Sequence, residues 1–216
     1  MTVSYSTRMQ GYGSDFIKEM FAAARNPDLI SFAGGAPAPE LYPLEAFRAA
    51  SDKAFEEWGH TMMAYDGAEG VLPLREIIAT ERMAQMGVDV TPEDIRILSG
   101  SQQGIDFAAR LFIDEGDTII CEHPTYLGAL NSFGAFKPSY VSVPMDNDGM
   151  IMEALEKTLI DNPQAKLLYT VPEFQNPTGI TLAAYRRKRV VELAEEHDNI
   201  SMEDSPYYEI GRELGR

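Results

Sequence analysis

The sequence predicts an α/β chain in which a mostly parallel sheet lies between two layers of helix. Three observations point there. The 216 residues are 44% hydrophobic with no low-complexity run, enough to bury a core of ordinary domain size. From residue 91 onward, short apolar runs of strand length alternate with segments of helical period, as in strand-helix-strand crossovers. Turn-forming and polar residues gather directly after each apolar run, where open parallel sheets bind their ligands.

Taken in order, Phe16, Ile17, Met20, Phe21 and Ala24 share one face of a short helix over 15–24, which Asn26-Pro27 stops. Residues 29–32 are extended. Ala33-Gly34-Gly35-Ala36-Pro37, with Pro39 and Pro43, makes a loop whose glycines permit close backbone approach. Helices are expected at about 44–58 and 73–86. The alternating part then reads strand 95–98, helix 102–113, strand 118–121, helix 126–133, strand 140–143 and helix 152–160. Strand 166–171, helix 182–196 and strand 200–203 complete it.

The charge balance narrows the function. Eighteen Lys and Arg against 34 Asp and Glu give a net charge of −16, which argues against a nucleic-acid surface, because phosphate neutralisation needs clustered cations. The one basic cluster, Arg186-Arg187-Lys188-Arg189, precedes Glu192, Glu195 and Glu196 in a helical pattern and reads as a solvated face laced with ion pairs. No apolar run approaches the roughly 18 to 20 residues of a membrane span, and residues 1–10 are polar, so a cytoplasmic protein without a membrane partner is expected. Cys121, the single cysteine, reads as a core thiol in a buried strand. Cys121-Glu122-His123 matches no zinc spacing, and consecutive strand residues point to opposite faces, so no metal is expected.

Each strand is followed by residues able to do chemistry. Ser99-Gly100-Ser101-Gln102-Gln103-Gly104 opens a helix whose free N–H groups and dipole suit a phosphate, although a serine there is also an ordinary helix cap. Tyr126 follows the second strand and can stack on a planar ligand or pack on the sheet. Asn176, in the turn Asn176-Pro177-Thr178-Gly179, offers one donor and one acceptor edge. Asp204 follows the last strand, with Tyr207 three residues on.

Together, Ser101-Gln102, Tyr126, Asn176-Pro177-Thr178-Gly179 and Asp204-x-x-Tyr207 resemble, in order and spacing, the large domain of fold type I pyridoxal-phosphate aminotransferases. Ile30-Ser31-Phe32-Ala33-Gly34-Gly35 and Tyr65-Asp66-Gly67-x-x-Gly70-x-x-x-Leu74-Arg75 resemble the branch holding the 2-aminoadipate, kynurenine and aromatic aminotransferases and the effector domains of MocR-type regulators. The resemblance spans about residues 14–208 and implies a three-layer αβα large domain binding pyridoxal 5′-phosphate. It implies that Asp204 pairs with the ring nitrogen, Asn176 and Tyr207 with the 3′-oxygen, Tyr126 with the ring face, and Ser101 and Gln102 with the phosphate. Tyr65 is implied to reach the phosphate of the partner subunit in a homodimer, and Gly34 and Gly35 to line the substrate pocket. The implied substrates are an amino acid and a 2-oxo acid.

On the same resemblance, residues 1–45 form an N-terminal arm and substrate-side loop, and 46–216 the cofactor-binding domain. The family's Schiff-base lysine follows the Asp-x-x-Tyr motif by a few dozen residues, and this chain stops at Arg216, so the large domain is expected to be incomplete at its C-terminus. Such a chain has no catalytic lysine of its own and is expected to be inactive alone, with residues 95–98 missing a ladder partner. The alternatives are the effector module of a MocR-type regulator, or a pyridoxal-phosphate lyase on the same fold.

Overall fold

The structure, a computed structural model, describes residues 4, 6–9, 19, 22–23, 28–30 and 39–213. The Gly34-Gly35 loop and most of the helix expected over 15–24 lie outside these residues. The described residues fall into two compact units, a first within 13–98 and a second of 99–213 with those described before residue 13.

The first unit carries helix α1 (Leu44–Trp58) and helix α2 (Leu72–Ile77), which runs on as a π-helical turn over Ile78–Met83. Proline sits in the first turn of α2, where no intrahelical N–H bond is lost. The Gly70 to Arg75 motif has a structural role here. Arg75 Nε donates to the Gly70 carbonyl at 3.0 Å, and its guanidinium donates to the Pro92 carbonyl at 2.8 Å. Residues 95–98, expected as a strand without its ladder partner, join no ladder among the described residues, and the Ile97 N–H donates to the Glu69 carbonyl at 2.9 Å. An extended segment counts as a strand only through a ladder, and residues 95–98 are in none of those described.

The second unit is a five-stranded sheet of order β3-β2-β1-β4-β5. Strand β1 (Thr118–His123) lies at its centre, parallel to β2 (Ser139–Asp146) and to β4 (Leu167–Thr170), and β5 (Ile200–Glu203) runs parallel on β4. The short β3 (Gly149–Met150) turns back antiparallel on the end of β2, a hairpin that the alternating pattern does not foreshadow. Helix α3 (Ser101–Phe112) precedes β1, helices α4 (Leu127–Gly134), α5 (Met152–Asp161) and α6 (Ala184–Glu196) fill the connections, and α7 (Tyr208–Glu213) follows β5.

The period-2 geometry of the strands sorts their side chains into two cores. Ile119, Cys121, Leu167 and Tyr169 pack with Ile105 and Ala109 of α3 and Ala129 and Phe133 of α4. Ile120, Val143 and Leu168 pack with Leu155 and Leu159 of α5 and Val190 and Leu193 of α6. Helices therefore cover both faces of the sheet, the αβα arrangement expected. Each fully buried Leu or Ile contributes about 1.5–3 kcal/mol relative to exposure, so both layers anchor the strand ends firmly.

Candidate functional site

The parallel strands all point their carboxyl ends to one edge, and polar side chains collect there. Asp204, directly after β5, is buried at 7% exposure. Its Oδ2 accepts the phenol proton of Tyr169, on the neighbouring β4, at 2.8 Å. Burial pushes the Asp204 carboxyl up, and the Tyr169 hydrogen bond opposes that push. Tyr126 is half-buried, and burial first, then the nearby Asp204 and Tyr207, raise its phenol. Asp204, Tyr126 and Tyr207 thus lie close enough to feel one another. Tyr169 is raised far more strongly, by burial first and then by Asp204, so it stays a neutral donor.

A second carboxylate lies beside this group. Glu122, in the apolar β1, is 2% exposed and accepts from Thr170 Oγ1 at 2.5 Å, from the Val171 N–H at 3.3 Å to each oxygen, and from Gln175 Nε2 at 3.1 Å. Gln175 Nε2 also donates to the Pro124 carbonyl at 2.7 Å, while its Oε1 accepts from Thr178 N–H and Oγ1 at 3.0 and 2.7 Å. This node ties the loop bearing Tyr126 to the loop bearing Asn176. Burial raises the Glu122 carboxyl above its ordinary range, with the hydrogen bonds working against it. The same burial, helped by the Glu122 charge, holds the Cys121 thiol up at about 11, so it is an inert core thiol.

The start of α3 completes the edge. Gly100 caps it at φ 91, a left-handed conformation that a residue with a Cβ adopts only with strain. Ser101 and Gln102 are exposed in the first turn, where backbone N–H groups lack intrahelical partners. The Gln102 side chain is already engaged: Nε2 donates to the Gly128 carbonyl at 2.8 Å and to Ser132 Oγ at 2.5 Å. The amide fastens α3 to α4, and the Gln103 N–H donates to the Gly100 carbonyl at 3.2 Å, so the Ser101 hydroxyl and the Ser101 and Gln102 N–H groups are the donors this turn has for an anion. Gly128 is needed next to Tyr126, since an added Cβ would collide with the Tyr126 ring.

Of the residues singled out in the sequence, Asp204, Tyr126 and Tyr207 come together, with Ser101 and Gln102 at the start of α3 and Asn176 exposed on its turn. Tyr65 is fully exposed in the first unit, and Gly34 and Gly35 are outside the described residues. Sequence reasoning missed Tyr169, Gln175 and the role of Glu122; the one available signal was a charged residue closing an otherwise apolar strand. The basic cluster on α6 forms ion pairs as expected, yet not all along its own helix. Arg186 reaches Asp146 at 2.6 Å, and Arg187 bridges Glu173 in the Asn176 loop and Glu203, the residue before Asp204, at 2.9 Å for the latter. Among the described residues no group of His, Cys, Asp or Glu could hold a metal ion.

Chemically, this edge offers a buried acid for a protonated ring nitrogen, an aromatic face, and an anion-binding helix start. The Thr125 and Ser205 hydroxyls beside Tyr126 and Asp204 are buried without partners among the described residues, which also fits a polar ligand at this edge.

The family described as aminotransferase class I and II matches residues 27–214. Aromatic-amino-acid aminotransferase 1 of Thermococcus litoralis is 37% identical over 210 residues, which are 95% of this chain and 50% of that protein. The 2-aminoadipate transaminase of Thermus thermophilus is 36% identical over 194 residues, 90% of this chain and 47% of that protein. The crystal structure of Pyrococcus horikoshii kynurenine aminotransferase, solved with PMP, superposes with a TM-score of 0.85 at 35% identity, covering 94% of this chain and 51% of that one. The chain spans about half the length of these relatives.

Proposed function

Because the chain belongs to the class I and II aminotransferases, we propose that it forms the cofactor-binding part of a pyridoxal 5′-phosphate enzyme that moves an amino group from an amino acid to a 2-oxo acid. The observation that carries this is Asp204: a buried carboxylate at the carboxyl end of a parallel strand, flanked by Tyr126 and Tyr207. When bound, the cofactor supplies the carbonyl that exchanges amino groups and a ring that draws electrons from the substrate's α-carbon.

The chain's own residues hold and tune that ring. Asp204 keeps the ring nitrogen protonated, because a carboxylate beside it favours the cation. Tyr126 covers one face and keeps water from it. Asn176 and Tyr207 donate to the ring's 3′-oxygen, and Ser101 with the first-turn N–H groups of α3 holds the phosphate, with Gln102 fastening that turn. On this reading Gly34 and Gly35, which lie outside the described residues, are the candidates for the substrate side. The protein acts as a homodimer in which Tyr65 reaches the partner's phosphate. A cytoplasmic location is supported by a single buried cysteine, with no disulfide to maintain. Among the described residues no helix is long and apolar enough to cross a membrane.

The test is a panel of amino donors added to the full-length protein loaded with pyridoxal 5′-phosphate, followed by absorbance. Conversion to the pyridoxamine form with at least one donor is expected. A protein that binds the cofactor but converts with no donor would favour a non-catalytic sensor, and one that binds no cofactor would remove the reading altogether.

A further inference from the structure

Asp204 has one oxygen engaged and one to offer. Oδ2 accepts the Tyr169 phenol proton at 2.8 Å, and Oδ1 accepts no hydrogen bond among the described residues. The phenol is held with little freedom. Tyr169 is wholly buried, its ring edge meets Phe133 at a centroid distance of 5.6 Å and an angle of 80°, and its strand register sets it between Cys121 and Met202.

We propose that Tyr169 is a positioning residue for the cofactor: it holds Asp204 by one oxygen, so that the other is presented, ionised, to the protonated ring nitrogen. This rests on the reading of a pyridine-ring cofactor at Asp204 and adds to it a residue that does not touch the cofactor. The charge balance around Asp204 supports the assignment. Burial favours its neutral form, the Tyr169 hydrogen bond is what opposes burial, and no described cation contributes. The other titratable groups facing this pair are Tyr126, Tyr207 and Glu122, which carry no positive charge. A neutral Asp204 cannot stabilise a ring cation. One proton is shared between carboxyl and ring nitrogen, and the phenol, by stabilising the carboxylate, tips that proton to the ring.

The experiment uses the full-length protein loaded with pyridoxal phosphate labelled with 15N at the ring nitrogen, whose chemical shift reports protonation. In Tyr169→Phe, the signal is expected to move toward the unprotonated value and cofactor affinity to fall about 10-fold, the effect of losing one hydrogen bond to a charged group. In Asp204→Asn the protonated signal should vanish. The double variant should bind no more weakly than Asp204→Asn alone, because Tyr169 acts only through Asp204. An unchanged signal in Tyr169→Phe, or an affinity loss that simply adds in the double variant, overturns the proposal. Should Tyr169→Phe fail to fold by far-UV circular dichroism, Tyr169→His, whose donor stops short of the phenol oxygen, is expected to give the same loss, and intact values there overturn it too. A wild-type ring nitrogen that is insensitive to Asp204→Asn would instead defeat the cofactor reading itself, a result distinct from failure at Tyr169.

Discussion

Glu122 and Asp204 are both buried carboxylates at the carboxyl ends of strands in one sheet, at 2% and 7% exposure, yet their surroundings differ. Both oxygens of Glu122 are occupied, by Thr170, the Val171 N–H and Gln175. Only one oxygen of Asp204 is, by Tyr169. Burial raises both groups, so each imposes a desolvation penalty that only its partners offset. A saturated carboxylate has no acceptor left for a ligand and serves to hold loops together. A half-bonded one keeps its remaining acceptor for something that arrives. Burial alone does not separate structural acids from functional ones; the count of partners on each oxygen does.

The sharpest way to break this contrast is to remove each acid and compare stability with binding. Glu122→Ala leaves three donors unsatisfied in the interior and is expected to lower unfolding free energy by about 3–5 kcal/mol, read from urea midpoints. Asp204→Asn retains an oxygen for the Tyr169 phenol, so its stability loss should stay near about 1 kcal/mol while pyridoxal-phosphate affinity falls about 100-fold. Equal stability losses in the two variants would erase the distinction. Gln175→Ala comes next: it cuts the link between the two loops and is expected to remove about 2 kcal/mol, with a smaller loss of cofactor affinity through a looser Asn176.

A pH series sharpens the contrast further. An acid whose folded value is raised takes up a proton more readily in the folded state than in the unfolded one. Stability from Glu122 is therefore greatest below the ordinary glutamate value of 4.5 and declines as pH rises from there through the raised folded value. Melting temperatures of Glu122→Gln should decline less over that window than those of the wild type. Parallel curves would mean that Glu122 is not the titrating group.

Much of this was legible in the sequence, for identifiable reasons. The strands of the second unit announce themselves as apolar runs, and the residues after them, Tyr126, Asn176 and Asp204, stand out because turns and polar groups interrupt an apolar pattern. Tyr169 did not stand out, since a tyrosine inside an apolar strand looks like core, and its partner Asp204 lies 35 positions away on a strand whose register only the fold fixes. Gln175 was hidden similarly, 53 positions from Glu122 in a turn rich in residues that explain themselves locally. Residues 95–98 have the composition of a strand, and it is the family resemblance, not any local pattern, that implies a missing ladder partner for them. Gly128 shows the opposite case: the Tyr126 ring that fills the space of its Cβ lies two positions away, yet a glycine within a helical pattern carries no such signal by itself.

The smallest expected effect lies on α6, where two neighbouring arginines repeat the contrast between saturated and incidental contacts. Arg187 is partly buried and bridges Glu173 and Glu203, joining the Asn176 loop to the residue before Asp204. Arg189 pairs with Glu156, Glu192 and Glu196, all of them well solvated. Ion pairs in water gain little, because solvent and salt screen them and two long side chains lose freedom in forming them. Arg189→Ala should therefore leave the melting temperature and cofactor affinity unchanged within error. Arg187→Ala should lower both, since it strands Glu173, whose Oε2 is already buried without a partner among the described residues. If the two variants behaved alike at low and high salt, the bridge made by Arg187 would be as incidental as its neighbour's, and the loops around Asp204 would owe their placement to Gln175 and Glu122 alone.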